Sequence, residues 1–173
     1  MMRKRRGGWL LMLGLLGCAA TLTGEQAGLT ASDIEPLVGE WTLDSAKSGV
    51  SDPERRVVTL GVGWVRVELH RPGDERPPTL IYMLDGSSNT TPFGAGTATT
   101  QIRRERAEII TVTVITINER PVTVEERLSV ASSGEMVAAV TLRVEHGYQG
   151  VLAPLEKQAP NVAQNVKYFR RTK

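Results

Sequence analysis

The chain contains one cysteine, Cys18, and therefore cannot form an internal disulfide. A folded domain must take its stability from an apolar core instead, and a chain of 173 residues is long enough to bury one. Aromatic residues are scarce, with three Trp, three Tyr and two Phe. The longest apolar run, residues 9–16, is much shorter than the roughly 20 residues that a permanent transmembrane helix needs. These absences argue against a disulfide-stabilised scaffold and against a membrane-spanning helix.

The charge balance gives no sign of a nucleic-acid surface. Four of the 21 basic residues lie at positions 3–6, which leaves 17 basic against 19 acidic residues from Cys18 onward. The remaining dense basic groups fall at a strand end, residues 103–106, and at the C-terminus, residues 170–173. Binding to a phosphate backbone requires a concentrated basic patch. We therefore expect no nucleic-acid partner.

Residues 1–17 have the three parts of an export signal: basic residues at 3–6, an apolar stretch at 9–16 and a small residue before Cys18. The string Leu15-Leu16-Gly17-Cys18 resembles the lipobox of bacterial lipoprotein signals. The resemblance implies cleavage before Cys18, acyl chains on that residue and its new amino end, and anchoring in the cell envelope. Ala19 would then favour the outer membrane, at its periplasmic face or the cell surface, if the cell has one. The alternative is an ordinary cleaved signal in which Cys18 is incidental.

After the cysteine, the sequence predicts a flexible tether and then one β-domain. Residues 18–30 are small, polar and aperiodic, as is typical of linkers, and the domain spans 31–173. Ser32 and Glu35 have capping-box spacing, and Pro36 limits the helix they start to about one turn. Alternating apolar and polar residues separated by turn signals predict strands at residues 39–44, 56–60, 62–70, 79–84, 98–104, 108–117, 121–131, 136–146 and 162–171.

Eight or nine short antiparallel strands indicate an all-β fold, either a sandwich or an up-and-down barrel. Residues 86–96 are rich in Ser, Asn, Thr, Gly and Pro, which predicts an exposed loop rather than a strand. The periodicity alone does not choose between the two architectures.

The opening of the first strand favours the barrel. Gly39-Glu40-Trp41 follows a short helical turn and resembles the G-x-W opening of lipocalins and related calycin barrels. That resemblance implies that Trp41 closes the barrel floor and that an arginine of the last strand, Arg170 or Arg171, packs over its ring. A closer similarity is to uncharacterised secreted bacterial lipocalin-like proteins that open with G-x-W-x-L-[ND]-x-x-K-S, here Gly39, Trp41, Leu43, Asp44, Lys47 and Ser48.

The sequence contains few of the residue patterns that catalytic sites require. The chain has no G-x-S-x-G elbow, and only His70 and His146 can serve as an imidazole base in a hydrolytic triad. Glu68 and His70 share a strand face, but two donors do not make a metal site, and we expect a solvent-facing pair. The opening also resembles that of small haem-binding barrels, for which His146 is the only weak axial candidate. We expect no enzyme activity, no metal and no cofactor.

Glu126 is the one residue whose position is unusual. It shares a strand face with Val122, Val124, Leu128 and Val130, so it points inward if that face is interior. A buried carboxylate must raise its pKa or find a cation, and it is a candidate for orienting a ligand. A bulge that turns Glu126 outward, or a pairing with a neighbouring arginine, is the alternative. The other candidate lining residues are Tyr82, Met83, Ile115, Met136, Leu142 and Tyr168.

The sequence therefore predicts a lipid-anchored, lipocalin-like barrel that binds a small apolar or amphiphilic ligand without catalysis. The alternative is a structural or interaction module, with a filled barrel and loops such as residues 86–96 that bind another envelope protein. An open interior of a few hundred Å³ would favour the ligand-binding hypothesis.

Overall fold

A computed structural model describes residues 28–117, 120–144 and 161–172 of the chain. These ranges contain three single-turn helices: α1 (Ala31–Ile34), a 3₁₀ helix (Glu35–Leu37) and α2 (Ser45–Ser48). None of the helices in these ranges is long and apolar enough to cross a membrane. The ten strands are β1 (Gly39–Leu43), β2 (Arg55–Gly61), β3 (Trp64–His70), β4 (Thr79–Met83), β5 (Asn89–Phe93), β6 (Gly96–Glu105), β7 (Glu108–Ile117), β8 (Arg120–Val130), β9 (Met136–Val144) and β10 (Asn161–Arg171).

The strands form one antiparallel sheet that curls into a nearly closed barrel. Its order is β4-β3-β2-β1-β10-β9-β8-β7-β6-β5, so neighbours in sequence are neighbours in the sheet except at β4 and β5. The ring is continued from β1 to β10, where Trp41 is in register with Arg171 and Leu43 with Phe169. The predicted all-β, up-and-down barrel class is confirmed.

The strands β4 and β5 are the two ends of the sheet, and side chains join them. The Asn89 side-chain amide donates to the Ile81 carbonyl oxygen at 3.2 Å. The Thr100 hydroxyl also donates to the Ile81 oxygen, and it lies 3.2 Å from the carbonyl oxygen of Asn89. Side-chain hydrogen bonds therefore replace the main-chain ladder at this seam.

The predicted strand count was too low because residues 86–96 are not an exposed loop. Residues Asn89–Phe93 form β5, which pairs with β6 from Asn89↔Thr100 to Phe93↔Gly96. Asn89, Pro92 and the flanking glycines are turn-forming residues, and they hid a strand whose Thr90 and Thr91 favour extended backbone. The barrel has ten strands in the described ranges, not eight or nine.

The N-terminal edge of the domain lies earlier than the sequence predicts. Leu29 is buried and its N–H donates to the Leu84 carbonyl oxygen at 2.7 Å, so residues 28–30 belong to the domain and not to the tether. The helix α1 is capped by Thr30, whose N–H donates to the Asp33 carboxylate at 2.9 Å. The predicted capping pair of Ser32 and Glu35 is therefore wrong by two residues. Residues 1–27, with the signal, Cys18 and most of the tether, lie outside the described ranges.

The core occupies the inside of the barrel, and alternation along each strand decides which side chains reach it. Trp41, Phe169, Ile34 and Met136 are among the largest fully buried side chains. The inward face of β3 includes Val65 and Val67, and that of β9 includes Met136 and Val140.

A smaller apolar site lies on the outer face beneath a charged network. Ile110 is fully buried and is in register with Arg103 on β6 and Arg127 on β8. Both guanidinium groups bind Glu105, at 2.9 Å and 3.0 Å respectively, while their aliphatic stems lie beside the isoleucine. Arg104 of the same basic group pairs with Asp33. These arginines are thus engaged in ion pairs and do not present a free basic patch.

Candidate functional site

One end of the barrel is closed by Trp41 at the start of β1. The indole is fully buried, and its Nε1–H donates to the Leu37 carbonyl oxygen at 2.8 Å. The guanidinium of Arg171 lies 4.4 Å from the ring centroid and donates to the carbonyl oxygens of Val38 and Pro36, at 2.8 Å and 2.9 Å. The last strand is thereby tied to the 3₁₀ helix across the indole.

Of the two arginines proposed for this position, Arg171 occupies it and Arg170 does not. The reason is alternation along β10, which sends neighbouring side chains to opposite faces. Arg170 is exposed and pairs with Asp44. Gly39, the first residue of the motif, has a φ of 127°, and a β-carbon there would lie 3.0 Å from the Arg171 guanidinium. Glycine at this position permits the close approach of Arg171.

The interior holds a cavity of about 330 Å³. Most of its wall is aliphatic, and it is bounded at the closed end by Ile34 and Leu37. Three hydroxyl-bearing residues, Tyr82, Thr111 and Thr113, also line it. The aliphatic side chains of its strands are Val58, Val65, Val67, Leu69, Leu80, Ile102, Ile109, Ile115, Val122, Val124, Leu128, Val140 and Leu142.

A buried ion-pair cluster lies in this apolar wall. Arg56 on β2 donates through Nη1 and Nη2 to the two carboxylate oxygens of Glu126 on β8, at 2.9 Å and 2.8 Å. Its Nε–H donates to Glu54 at 2.6 Å, and Lys167 on β10 donates to the other oxygen of Glu54 at 2.7 Å. The Arg56 guanidinium also lies 4.5 Å from the Phe169 ring centroid. Arg56 is 5% exposed, so water contributes little to its solvation.

The cluster keeps Glu54 and Arg56 charged. Burial alone would raise the pKa of Glu54, but the attraction of Arg56 and the hydrogen bond from Lys167 outweigh it and lower the pKa to about 2. Burial works against the charge of Arg56 as well, yet Glu126 and Glu54 raise its pKa further above the usual value. Burial and the nearby Glu126 carboxylate raise the pKa of Tyr82 to about 12, so its phenol stays neutral. The phenol lies 3.0 Å from the Thr113 hydroxyl.

The structure brings five of the seven candidate lining residues to the cavity wall: Tyr82, Ile115, Glu126, Met136 and Leu142. The prediction that Met83 and Tyr168 line the cavity is wrong. Met83 follows the inward-pointing Tyr82 on β4, and Tyr168 precedes the inward-pointing Phe169 on β10, so both side chains lie on the outer face. The Tyr168 ring lies outside under the Lys47 ammonium, 4.3 Å from its centroid. Contact of the five residues with a ligand stays a prediction.

Glu126 points inward and pairs with an arginine, and no bulge turns it outward. Its partner Arg56 was not among the residues predicted from the sequence, and neither were Glu54 and Lys167. A signal for Arg56 was present, since it shares the face of Val58 and Leu60 on β2. An arginine in the inward register of one strand and a glutamate in that of another are complementary, although 70 residues separate them.

The other sequence candidates do not form a second site in the described ranges. Glu68 and His70 are neighbours, with Oε2 and Nε2 3.3 Å apart, and His70 Nδ1 lies 3.4 Å from an Arg55 nitrogen. No group of three or more His, Cys, Asp or Glu side chains suited to a metal ion occurs among residues 28–117, 120–144 and 161–172. His146 and Cys18 lie outside those ranges.

Comparison with known proteins supports the fold. No protein-family model and no curated protein sequence matches the chain. A secretary abundant heat soluble (SAHS) protein from Ramazzottius varieornatus is similar in structure, with a TM-score of 0.54 and 7% identity over 86% of this chain and 99% of that one. Apo lipid binding protein 8 (LBP-8) from Caenorhabditis elegans has a TM-score of 0.53 and 8% identity over 83% of this chain and 99% of that one. At such identities the similarity is one of fold.

Proposed function

We propose that this chain is a lipid-anchored protein of the cell envelope whose barrel binds a small apolar or amphiphilic molecule without transforming it. The observation that carries the binding role is the internal cavity of about 330 Å³. Small-molecule pockets begin at about 300 Å³ and are mostly apolar with a few placed polar groups. The aliphatic wall and the single ion-pair cluster fit that description. The name of the worm lipid binding protein, a barrel of similar fold, is consistent with this role.

The cavity also counts against the alternative of an interaction module with a filled barrel. Such a module would have side chains where the cavity is. Part of the loop assigned to partner binding, moreover, is the paired strand β5. Ligand binding is therefore the function that the geometry supports best.

The anchoring part of the proposal rests on the sequence. The lipobox-like string ending at Cys18, the basic residues before it and the apolar stretch between them together support processing as a lipoprotein. More than one acyl chain would meet the requirement for stable anchoring, since each buried methylene contributes about 0.8 kcal/mol. The barrel would then lie at the membrane surface, where amphiphiles are concentrated.

The binding role is tested by native mass spectrometry of the full chain purified from its own membranes, followed by organic extraction. We expect a co-purifying small molecule. Val124→Phe places a larger side chain in the cavity and should reduce the retained ligand severalfold. Thr123→Phe, on the opposite face of the same strand, is the matched control and should leave it unchanged. Protein with an empty interior in the native host, or equal ligand content in both variants, would contradict the proposal.

The anchor is tested on the same preparation. The mass of the amino-terminal peptide should correspond to an acylated Cys18 with residues 1–17 removed. Cys18→Ala should release the protein from membranes without changing its ligand content. An unmodified thiol on an uncut chain would remove the anchor from the proposal and leave the binding role intact.

A further inference from the structure

The charged groups of the cavity already satisfy one another. Arg56 uses three N–H groups on two carboxylates, both oxygens of Glu126 and one of Glu54. Lys167 is bound to the remaining oxygen of Glu54. Two cations thus face two anions inside the barrel. Among the residues that the structure describes, no buried charge of the cavity lining lacks a counter-ion.

One further charged residue lines the cavity, and it lies in a different environment. Arg71 follows the end of β3 and is exposed to solvent. Water screens a charge in that position, so an exposed ion pair contributes little to binding. The charge selectivity of the interior is therefore determined by the buried cluster and not by Arg71.

A charged ligand group would have to displace one member of this cluster. A carboxylate that binds Arg56 in place of Glu126 leaves that glutamate without its ion-pair partner, and one that replaces Glu54 leaves Glu54 with Lys167 alone. An ammonium that binds Glu126 leaves Arg56 with Glu54 as its remaining carboxylate partner. Removing one partner from a buried ion pair is strongly unfavourable, because the other charge stays desolvated. An uncharged hydroxyl or carbonyl group, in contrast, has no need to displace a member of the cluster, and the neutral polar residues Tyr82, Thr111 and Thr113 line the same cavity.

We infer that the cavity selects an uncharged molecule, an alcohol, ester, ketone or hydrocarbon, over a carboxylate or an amine with the same carbon chain, an inference that rests on the proposed binding function. The balanced cluster is the selective device. It supplies polarity near the ligand and rejects charge of either sign.

The first experiment uses the full wild-type chain in lipid nanodiscs, with empty nanodiscs as the blank. The dissociation constants of octanol, octanoate and octylammonium are measured at neutral pH by displacement of a neutral naphthylamine dye. We expect octanol to bind about tenfold or more tightly than either charged compound. Octanoate binding as tight as octanol, or tighter, would overturn the inference.

The second experiment changes the balance of positive and negative charges in the cluster. Glu126→Gln removes one buried negative charge and leaves two cations against Glu54. The affinity for octanoate should then rise about tenfold, while that for octanol stays within about twofold. Glu125→Gln is the matched control, since it makes the same charge change on the same strand, but its side chain pairs outside with Arg127 at 3.1 Å. An equal response of the two variants would show that the cluster does not select.

The wild-type measurement keeps the inference testable even if the Glu126 variant is too unstable to assay. Thermal melts establish whether both variants are folded at the assay temperature. If none of the three probes binds the wild-type protein, the proposed binding function fails together with the inference. If octanoate binds at least as tightly as octanol, the barrel is still a binding protein and only the charge selectivity is lost.

Discussion

Arg171 and Arg56 each stack on an aromatic ring, at 4.4 Å from the Trp41 centroid and 4.5 Å from the Phe169 centroid. The contacts are alike, but their surroundings differ. Arg171 is exposed and donates to two main-chain carbonyl oxygens. Arg56 is buried and donates to two carboxylates. The two arginines therefore make nearly the same ring contact, although solvent reaches the guanidinium of Arg171 and is excluded from that of Arg56.

The difference shows that the stacking distance does not determine the energetic role of an arginine. An exposed guanidinium over a ring contributes about 0.5–1 kcal/mol and loses little when its other partners change. A buried one depends on all of its partners, because desolvation of each charge is offset only while the pairing is complete. We therefore expect a substitution of Arg171 at the floor of the barrel to cost less stability than a substitution of Arg56 in the wall.

The largest expected effect comes from removing the buried cation. Arg56→Met leaves Glu126 without its bidentate partner, and the free energy of unfolding should fall by about 3–5 kcal/mol. Urea unfolding of the full chain measures this. The double exchange Arg56→Met with Glu126→Leu should regain most of the loss, because it removes both charges of the pair. A single exchange that costs less than about 1 kcal/mol would mean that the pair is not desolvated.

A smaller loss of stability is expected when the pH is lowered. The pKa of Glu54 is about 2 in the folded protein against the usual 4.5, so its ionised form stabilises the fold at neutral pH by about 3 kcal/mol. Because the folded-state pKa is lowered, this contribution is present above pH 4.5 and is lost as the pH falls towards 2. In urea unfolding at several pH values, the stability difference between wild type and Glu54→Gln should shrink across that window. A constant difference would contradict the assigned pKa.

The smallest effect is expected at the floor. Arg171→Met removes the cation over Trp41 and two hydrogen bonds to carbonyl oxygens that water can replace, at a cost of about 1 kcal/mol. Arg170→Met is the matched control, since this neighbour pairs with Asp44 on the surface and should cost about 0.5 kcal/mol or less. A loss at Arg171 as large as that at Arg56 would abolish the contrast between the two regions.

The sequence predicted those features that depend on local alternation or on a recognisable motif. The period of two along a strand grouped Glu126 with Val122, Val124 and Leu128, and the structure shows that this face is the inward one. The Gly39-x-Trp41 motif indicated which end of the barrel is closed. It also limited the arginine that packs over Trp41 to two candidates, Arg170 and Arg171. Alternation then separates Arg171 from Arg170, once the register of β10 is known.

The features that escaped prediction depend on the curvature of the whole sheet. Arg56 meets Glu126 across the barrel interior, and no local pattern reports that distance. Glu54 precedes β2 and Lys167 lies on β10, with β1 between these two strands, so their ion pair depends on the strand order of the sheet and not on a local pattern. The strand β5 was missed for a different reason, since its pairing with β6 overrides the turn preference of Asn89 and Pro92.

The join between β4 and β5 has a mechanical consequence. Elsewhere around the ring, separating two strands means breaking a run of main-chain hydrogen bonds. At this join, the described hydrogen bonds to the Ile81 oxygen come from two side chains, those of Asn89 and Thr100. Rotation of those side chains frees the two strands while every other strand pair keeps its ladder. We therefore expect β4 and β5 to separate before any other pair of neighbouring strands when the barrel opens.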